Sequence, residues 1–254
     1  MRLSKAWIVA VRDLKIFGRQ KYVLYTIVLF PLLVSILPPV IVQFAGNNAV
    51  NNPDHPVTPA QFGSNVPRIL DAFSIFLIVG AAFVPMGIAS YTIVGEKLEK
   101  SLEPLLATPL TDGEILLGKT ISAFIPTLVS MYAGAVVFMV GTNVVAFPFL
   151  NYYYFPNWTI AVEVFLAMPA ATVMSIEYGV IISSRVNDAR SATNAGALMF
   201  FPFLIVYFVI QAQIITLDTN GMLLISGVIL VIDVVLYFIS TAMFQREEIL
   251  TRWK

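Results

Sequence analysis

The sequence has no cysteine, a single histidine (His55), and charge on only 12% of its 254 residues. The missing cysteines exclude disulfides, thiolate metal sites and a cysteine nucleophile together. One imidazole in a polar stretch supplies neither a metal cluster nor a Ser-His-Asp triad. An excess of charge of one sign is also lacking: 15 Lys and Arg balance 15 Asp and Glu. Without a basic surplus, nothing points to nucleic acid. Long polar stretches are absent as well. The longest gap between apolar runs, residues 44–68, is about half the 50 or more residues that an independent domain usually needs.

What is abundant is apolar. Hydrophobic residues make up 58% of the chain, against roughly 45–50% in an ordinary soluble domain. Apolar runs lie at about 22–43, 69–95, 119–146, 158–184, 196–216 and 222–243, each near the roughly 20 residues that cross a bilayer as a helix. The expected fold is an all-α integral membrane protein with six transmembrane helices. Residues 1–254 form one transmembrane domain in this reading, with no nucleotide-binding domain.

Lys and Arg beside spans stay on the cytoplasmic side. With the N-terminus inside, every one of the 15 basic residues except Arg68 falls on that side. The expected topology is multi-pass in the cell (plasma) membrane, with N- and C-termini cytoplasmic. The first 21 residues have the charged start of a leader, but the run that follows is too long and lacks a small-residue cleavage site. At 100° per residue, Leu3, Trp7, Ala10, Leu14 and Phe17 form one stripe opposite Lys5, Arg12, Lys15 and Arg19, so 1–21 reads as an amphipathic helix resting among membrane lipids. On the outer side, the Asn-, Pro- and Gly-rich 44–68 reads as a loop. Tyr152, Tyr153, Tyr154, Phe155 and Trp158 read as an aromatic belt, and Asn157-Trp158-Thr159 fits a glycosylation acceptor.

Gly113-Glu114-Ile115-Leu116-Leu117-Gly118-Lys119-Thr120 matches the phosphate-loop pattern letter for letter. Such a loop needs a buried strand before it and an α/β core around it, whereas Gly113 follows a Thr-Pro turn and Thr120 opens an apolar run. Nucleotide binding by this chain is rejected on that ground. Serines and aspartates form no recognisable catalytic pair either, so an intramembrane protease is set aside.

The segment 96–118 carries the most information. Leu102, Leu105 and Leu106 recur at i, i+3, i+4 and give a short helix one apolar face, with Glu96, Glu99 and Glu103 on another. Pro109 ends that helix. Thr111 and Glu114 then have the spacing of a capping box and start the next helix. The run SLEPLLATPLTDGEILLGK resembles the signature loop of ABC-2-type transporter permeases, although Lys100-Ser101 replaces the usual Gly-Thr. The resemblance is to the simpler two-component exporters, including those for sodium or drugs, because 216–221 is too short to hold the re-entrant helices of other relatives. It implies a cytoplasmic coupling helix between spans 2 and 3 that docks on a separate ABC ATPase subunit. Glu99, Leu102, Glu103, Leu105, Leu106, Thr108 and Pro109 are its interface, and ATP and Mg sit on that partner. It also implies an exporter working as a dimer with a second permease copy or a homologous permease. The N-terminal stripe around Trp7 and Leu14 resembles the family's connecting helix.

Within the apolar runs, Asp71 and Glu163 stand near outer ends, where water reaches them. Asp233 stands near the middle of the last run, and Glu177 eight residues before Arg185. A charge at the bilayer centre costs about 2.5–3.5 kcal/mol on insertion scales. Asp233 and Glu177 are therefore the candidates for the translocation path. A second reading, an ion-coupled secondary transporter or channel, uses the same two acids as a cation or proton relay. Ala167, Ala171, Ser175, Gly179 and Ser183 recur every four residues, a small-residue row for close helix packing.

Overall fold

Thr111 and Glu114 open the longest helix as their spacing requires. The computed structural model describes residues 3–18, 21–52, 57–98, 110–186, 189–212, 214 and 216–243. In it the Thr111 hydroxyl accepts from the Glu114 N–H (3.3 Å), and the Glu114 carboxylate accepts from the Thr111 N–H (3.1 Å). This cap starts α5, Asp112–Leu150, seven residues before the apolar run itself. Asn151 ends it in the left-handed conformation (φ 61°), with its N–H on the Phe147 carbonyl. Thr111→Ala is expected to cost about 1 kcal/mol. A lowered thermal midpoint, with Thr111→Ser close to wild type, would show it.

The other helices are α1 (Leu3–Phe17), α2 (Lys21–Val50), α3 (Pro59–Gly63), α4 (Val66–Leu98), α6 (Trp158–Val162), α7 (Met168–Arg185), α8 (Ala189–Ala197), α9 (Phe200–Gln211) and α10 (Thr219–Met243). A π-helical turn, Glu163–Ala167, joins α6 to α7. Among the described residues, five helical stretches are long and apolar enough to cross a membrane, and Asn194–Ile210 is shorter. The fifth apolar run is split for a local reason. Pro202 has no N–H and its ring opposes the carbonyl of Leu198. The chain tightens there, with Leu198 N–H on Ala195 and Met199 N–H on Gly196 (3.2 and 2.9 Å).

The 44–68 loop is shorter than its composition suggests. Helix α2 continues through Gly46, Asn47 and Asn48 because Gly46 lies under the Phe149 ring of α5, where a Cβ would come within 2.4 Å of Cζ. Tertiary packing overrides the low helix propensity of those residues. Thr58-Pro59-Ala60-Gln61 then forms a second capping box, which starts α3.

α4 is the centre of the bundle, lying against α2, α5, α7 and α9, while α2 runs along α5 and α10 along α7. The small-residue row makes the α4–α7 seam: Ala167, Ala171, Ser175 and Ser183 have no exposed surface. Two hydroxyls cross it, from Thr172 to the Ala81 carbonyl (3.2 Å) and from Ser175 to that of Ala82. Outward faces are apolar, as at Leu33 and Val40 on α2 and Val231 and Phe238 on α10, which suits lipid.

Candidate functional site

The interior acids expected from the sequence stand on neighbouring helices. Glu177 on α7 and Asp233 on α10 are each 8% exposed, on helices packed side by side. Glu177 Oε2 and Asp233 Oδ1 are buried without a hydrogen-bond partner. Among the described residues neither carboxyl forms an ion pair. Two acids so placed can hold a proton or neutralise a positive charge, and they oppose an anion.

The acids near the other end of the bundle differ from expectation. Glu163, expected within reach of water, has no exposed surface, because it opens the π-helical turn and faces inward beside Ser74 and Asp71. Neither of its oxygens has a hydrogen-bond partner. Asp71 accepts from the Tyr154 hydroxyl at 2.8 Å on both carboxylate oxygens. Burial, and then the neighbouring Asp71, push the Tyr154 phenol above its ordinary pKa, so it keeps the proton that it donates. Asn143 pins the segment that presents Tyr154, with its carboxamide bonded to the Tyr154 and Phe155 N–H groups and to the Phe155 carbonyl. The aromatic run therefore divides. Tyr152, Tyr153 and Trp158 are exposed as a belt requires, but Phe155 is buried and Tyr154 points inward. Asn157 is the cap of α6, its side chain accepting from Ile160 N–H at 2.8 Å.

The third polar group was not foreseen. Asp13 of α1 and Lys119 of α5 are each 2% exposed, with Lys119 Nζ 3.7 Å from Asp13 Oδ2. Arg12 contacts the other oxygen at 2.9 Å. The approach of α1 depends on Gly118, where a Cβ would come within 2.6 Å of Val9 Cβ and 2.7 Å of the Ala6 carbonyl. The buried face of α1 is thus Ala6, Val9, Ala10, Asp13 and Phe17, while Leu3, Trp7 and Ile8 face outward. The expected stripe divides between protein and surroundings, because the small residues fit against α5 and the bulky ones do not. The phosphate-loop look-alike is helical from Asp112 onward, and its second glycine and its lysine serve to seat α1.

Glu99, Leu102, Glu103, Leu105, Leu106, Thr108 and Pro109 lie outside the described residues, between the end of α4 and the cap of α5.

Apolar helices of spanning length, with carboxyls buried within two of them, define a multi-pass membrane protein. The chain belongs to the ABC-2 transporter family: the family model described as ABC-2 family transporter protein matches residues 7–245. It is accordingly an ABC permease, the membrane component of a transporter and not a catalytic one. No curated protein matches the chain.

Proposed function

We propose that this chain is the path-forming subunit of a two-component ABC exporter. Two permeases, either two copies or this chain with a homologue, enclose the path. A separate ATPase subunit holds ATP and Mg and docks on the segment 96–118. Family membership over residues 7–245 is the observation that carries this reading. The fold supports it locally: 99–109 leads directly into the Thr111 cap, and α1 is fastened to the next turns of α5. A push on that segment therefore reaches α5 and α1 together. Alternating access follows when ATP closes the two ATPases and the helices tilt in response.

In this reading the chain crosses the plasma membrane six times with both termini cytoplasmic, the Asn194–Ile210 region supplying the fifth crossing. Helix α1 rests in the inner headgroup layer with Leu3, Trp7 and Ile8 toward lipid. Glu177 and Asp233 stand on the translocation path.

The test is an affinity pull-down of the tagged chain from its native membranes in mild detergent, with mass spectrometry and an ATP-hydrolysis assay on the bound proteins. A stoichiometric ATPase is expected with wild type and none with Leu105→Asp plus Leu106→Asp, which puts charge on the apolar face of the docking helix. Normal co-purification of the double variant would overturn the interface. Recovery of the chain alone in several mild detergents would overturn the two-component reading and favour an ion-coupled carrier.

A further inference from the structure

Arg68 is an exposed residue in the first turn of α4. It stands at the end of the bundle away from α1, since the neighbouring Gly63 packs on the Phe149 carbonyl near the end of α5, whereas Gly118 seats α1 near its start. Tyr152, Tyr153 and Trp158 are exposed at this same end and mark it as the level of lipid headgroups. Among the described residues Arg68 makes no hydrogen bond and no ion pair. Asp71, one turn further along the helix, is engaged elsewhere, with both oxygens accepting from the Tyr154 hydroxyl at 2.8 Å. Arg68 lines a pocket of about 260 Å³ together with Ile69, Ala72 and Phe73 of α4 and Tyr207 of α9. Those four are half-buried. Phe76 joins the two walls on the side toward the middle of α4, its ring centroid 5.5 Å from that of Tyr207 and 6.1 Å from that of Phe73.

We propose that this pocket binds one anionic phospholipid, with its phosphate on the Arg68 guanidinium and the first part of an acyl chain against Ile69, Phe73 and Tyr207. The guanidinium fork matches a phosphate bidentately and gives up its hydration more readily than an ammonium does. An anionic lipid meets that charge in full, whereas a zwitterionic lipid brings its own cation and gains less. The apolar walls select hydrocarbon over a free phosphate, which leaves them unfilled. A neutral apolar molecule is the converse mismatch, because it covers the guanidinium and offers it no partner. Size permits the fit: an engineered cavity of about 150 Å³ already takes benzene. The site requires only that the chain spans a membrane, so it stands apart from the ATPase-coupled reading.

Photolabelling of the purified full chain in mild detergent tests this with two probes, a phosphatidylglycerol and a phosphatidylcholine, each carrying a diazirine near the carbonyl end of one acyl chain. Mass spectrometry of the digested protein locates the adducts. Saturable labelling by the phosphatidylglycerol is expected around Phe73 on α4 and Tyr207 on α9, with half-saturation at least about tenfold below that of the phosphatidylcholine. Arg68→Gln is expected to raise the phosphatidylglycerol value to that of the phosphatidylcholine and to leave adducts elsewhere on the chain unchanged. Ala72→Trp, which fills the pocket and keeps Arg68 in place, is expected to abolish labelling there. Equal half-saturation by the two lipids at this site, absence of saturable labelling, or undiminished labelling of the Arg68→Gln or Ala72→Trp chain would each overturn the proposal. Displacement of the lipid by an equal concentration of inorganic phosphate would also overturn it and make the site one for a free anion. The wild-type comparison of the two lipids decides the matter even where a variant fails to fold. A chain that recovers its ATPase in the pull-down but shows no lipid selectivity at this pocket would refute the lipid site and leave the permease reading intact. Selective labelling of a chain that recruits no ATPase would do the reverse.

Discussion

Asp13→Leu loosens the junction of α1 and α5 by about 3–5 kcal/mol, the expected result of removing one member of a buried ion pair. The loss arises because Lys119, 2% exposed, lies 3.7 Å from the Asp13 carboxylate and loses that contact in a place shielded from water. The converse change is milder. With Lys119→Met, the Arg12 guanidinium still reaches Asp13 at 2.9 Å from a more exposed position, so the acid retains a countercharge. Asp13→Leu together with Lys119→Met recovers most of the loss, since replacing both partners by apolar groups of similar size is often neutral. Thermal midpoints in detergent rank the three chains. The cysteine-free sequence offers a direct reporter as well: a single Ala10→Cys, placed on the fully buried face of α1, resists maleimide with Asp13 present and reacts with Asp13→Leu. A Lys119→Met chain as damaged as the Asp13→Leu chain would contradict this account of the junction.

Ser175→Leu separates α4 from α7 and is expected to abolish the recovery of monodisperse protein. Ser175 has no exposed surface, and its hydroxyl donates to the Ala82 carbonyl on the facing helix, so backbone stands where a larger side chain would go. Overpacking costs about 1–3 kcal/mol where side chains can shift, and a backbone has less room to do so. Ser175→Ala removes only the hydrogen bond, about 0.5–1.5 kcal/mol, and keeps the seam closed. Size-exclusion profiles of fluorescent fusions separate these outcomes. A well-folded Ser175→Leu chain would show that the seam tolerates separation.

The parts of this architecture that obey local rules were readable in advance. The Thr111–Glu114 cap and the row from Ala167 to Ser183 depend on spacing along one helix, and the structure has both. A second capping box at Thr58 and Gln61 has the same local spacing, but the surrounding Asn and Pro residues carry the composition of a loop. Features that depend on a partner helix were harder to see. Asp13 reads as one acid in a basic segment, and only the positions Ala6, Ala10, Asp13 and Phe17, spaced like an interface, hint that it faces inward. Depth along a helix puts Glu163 near water, and the π-helical turn in which it lies buried leaves no mark in composition. Asp233 and Glu177 were each singled out for the cost of a charge in hydrocarbon. That they stand on two helices packed side by side, α7 and α10, is visible only in the fold. The coupling residues Glu99 to Pro109 rest on the sequence pattern and the family.

Helix α5, with 39 residues, is about 58 Å long, nearly twice the roughly 30 Å of a hydrocarbon core. A rod of that length acts as a lever. Tilting it by about 10° about its centre swings each tip by about 5 Å, close to one helical turn, in opposite directions. One tip carries the Thr111 cap and, a turn or two along, the seat of α1. The other ends at Asn151, next to the segment that holds Tyr154 against Asp71. A small displacement at one end of this helix is therefore a comparable and opposite displacement at the far end, delivered without any change in the helix itself.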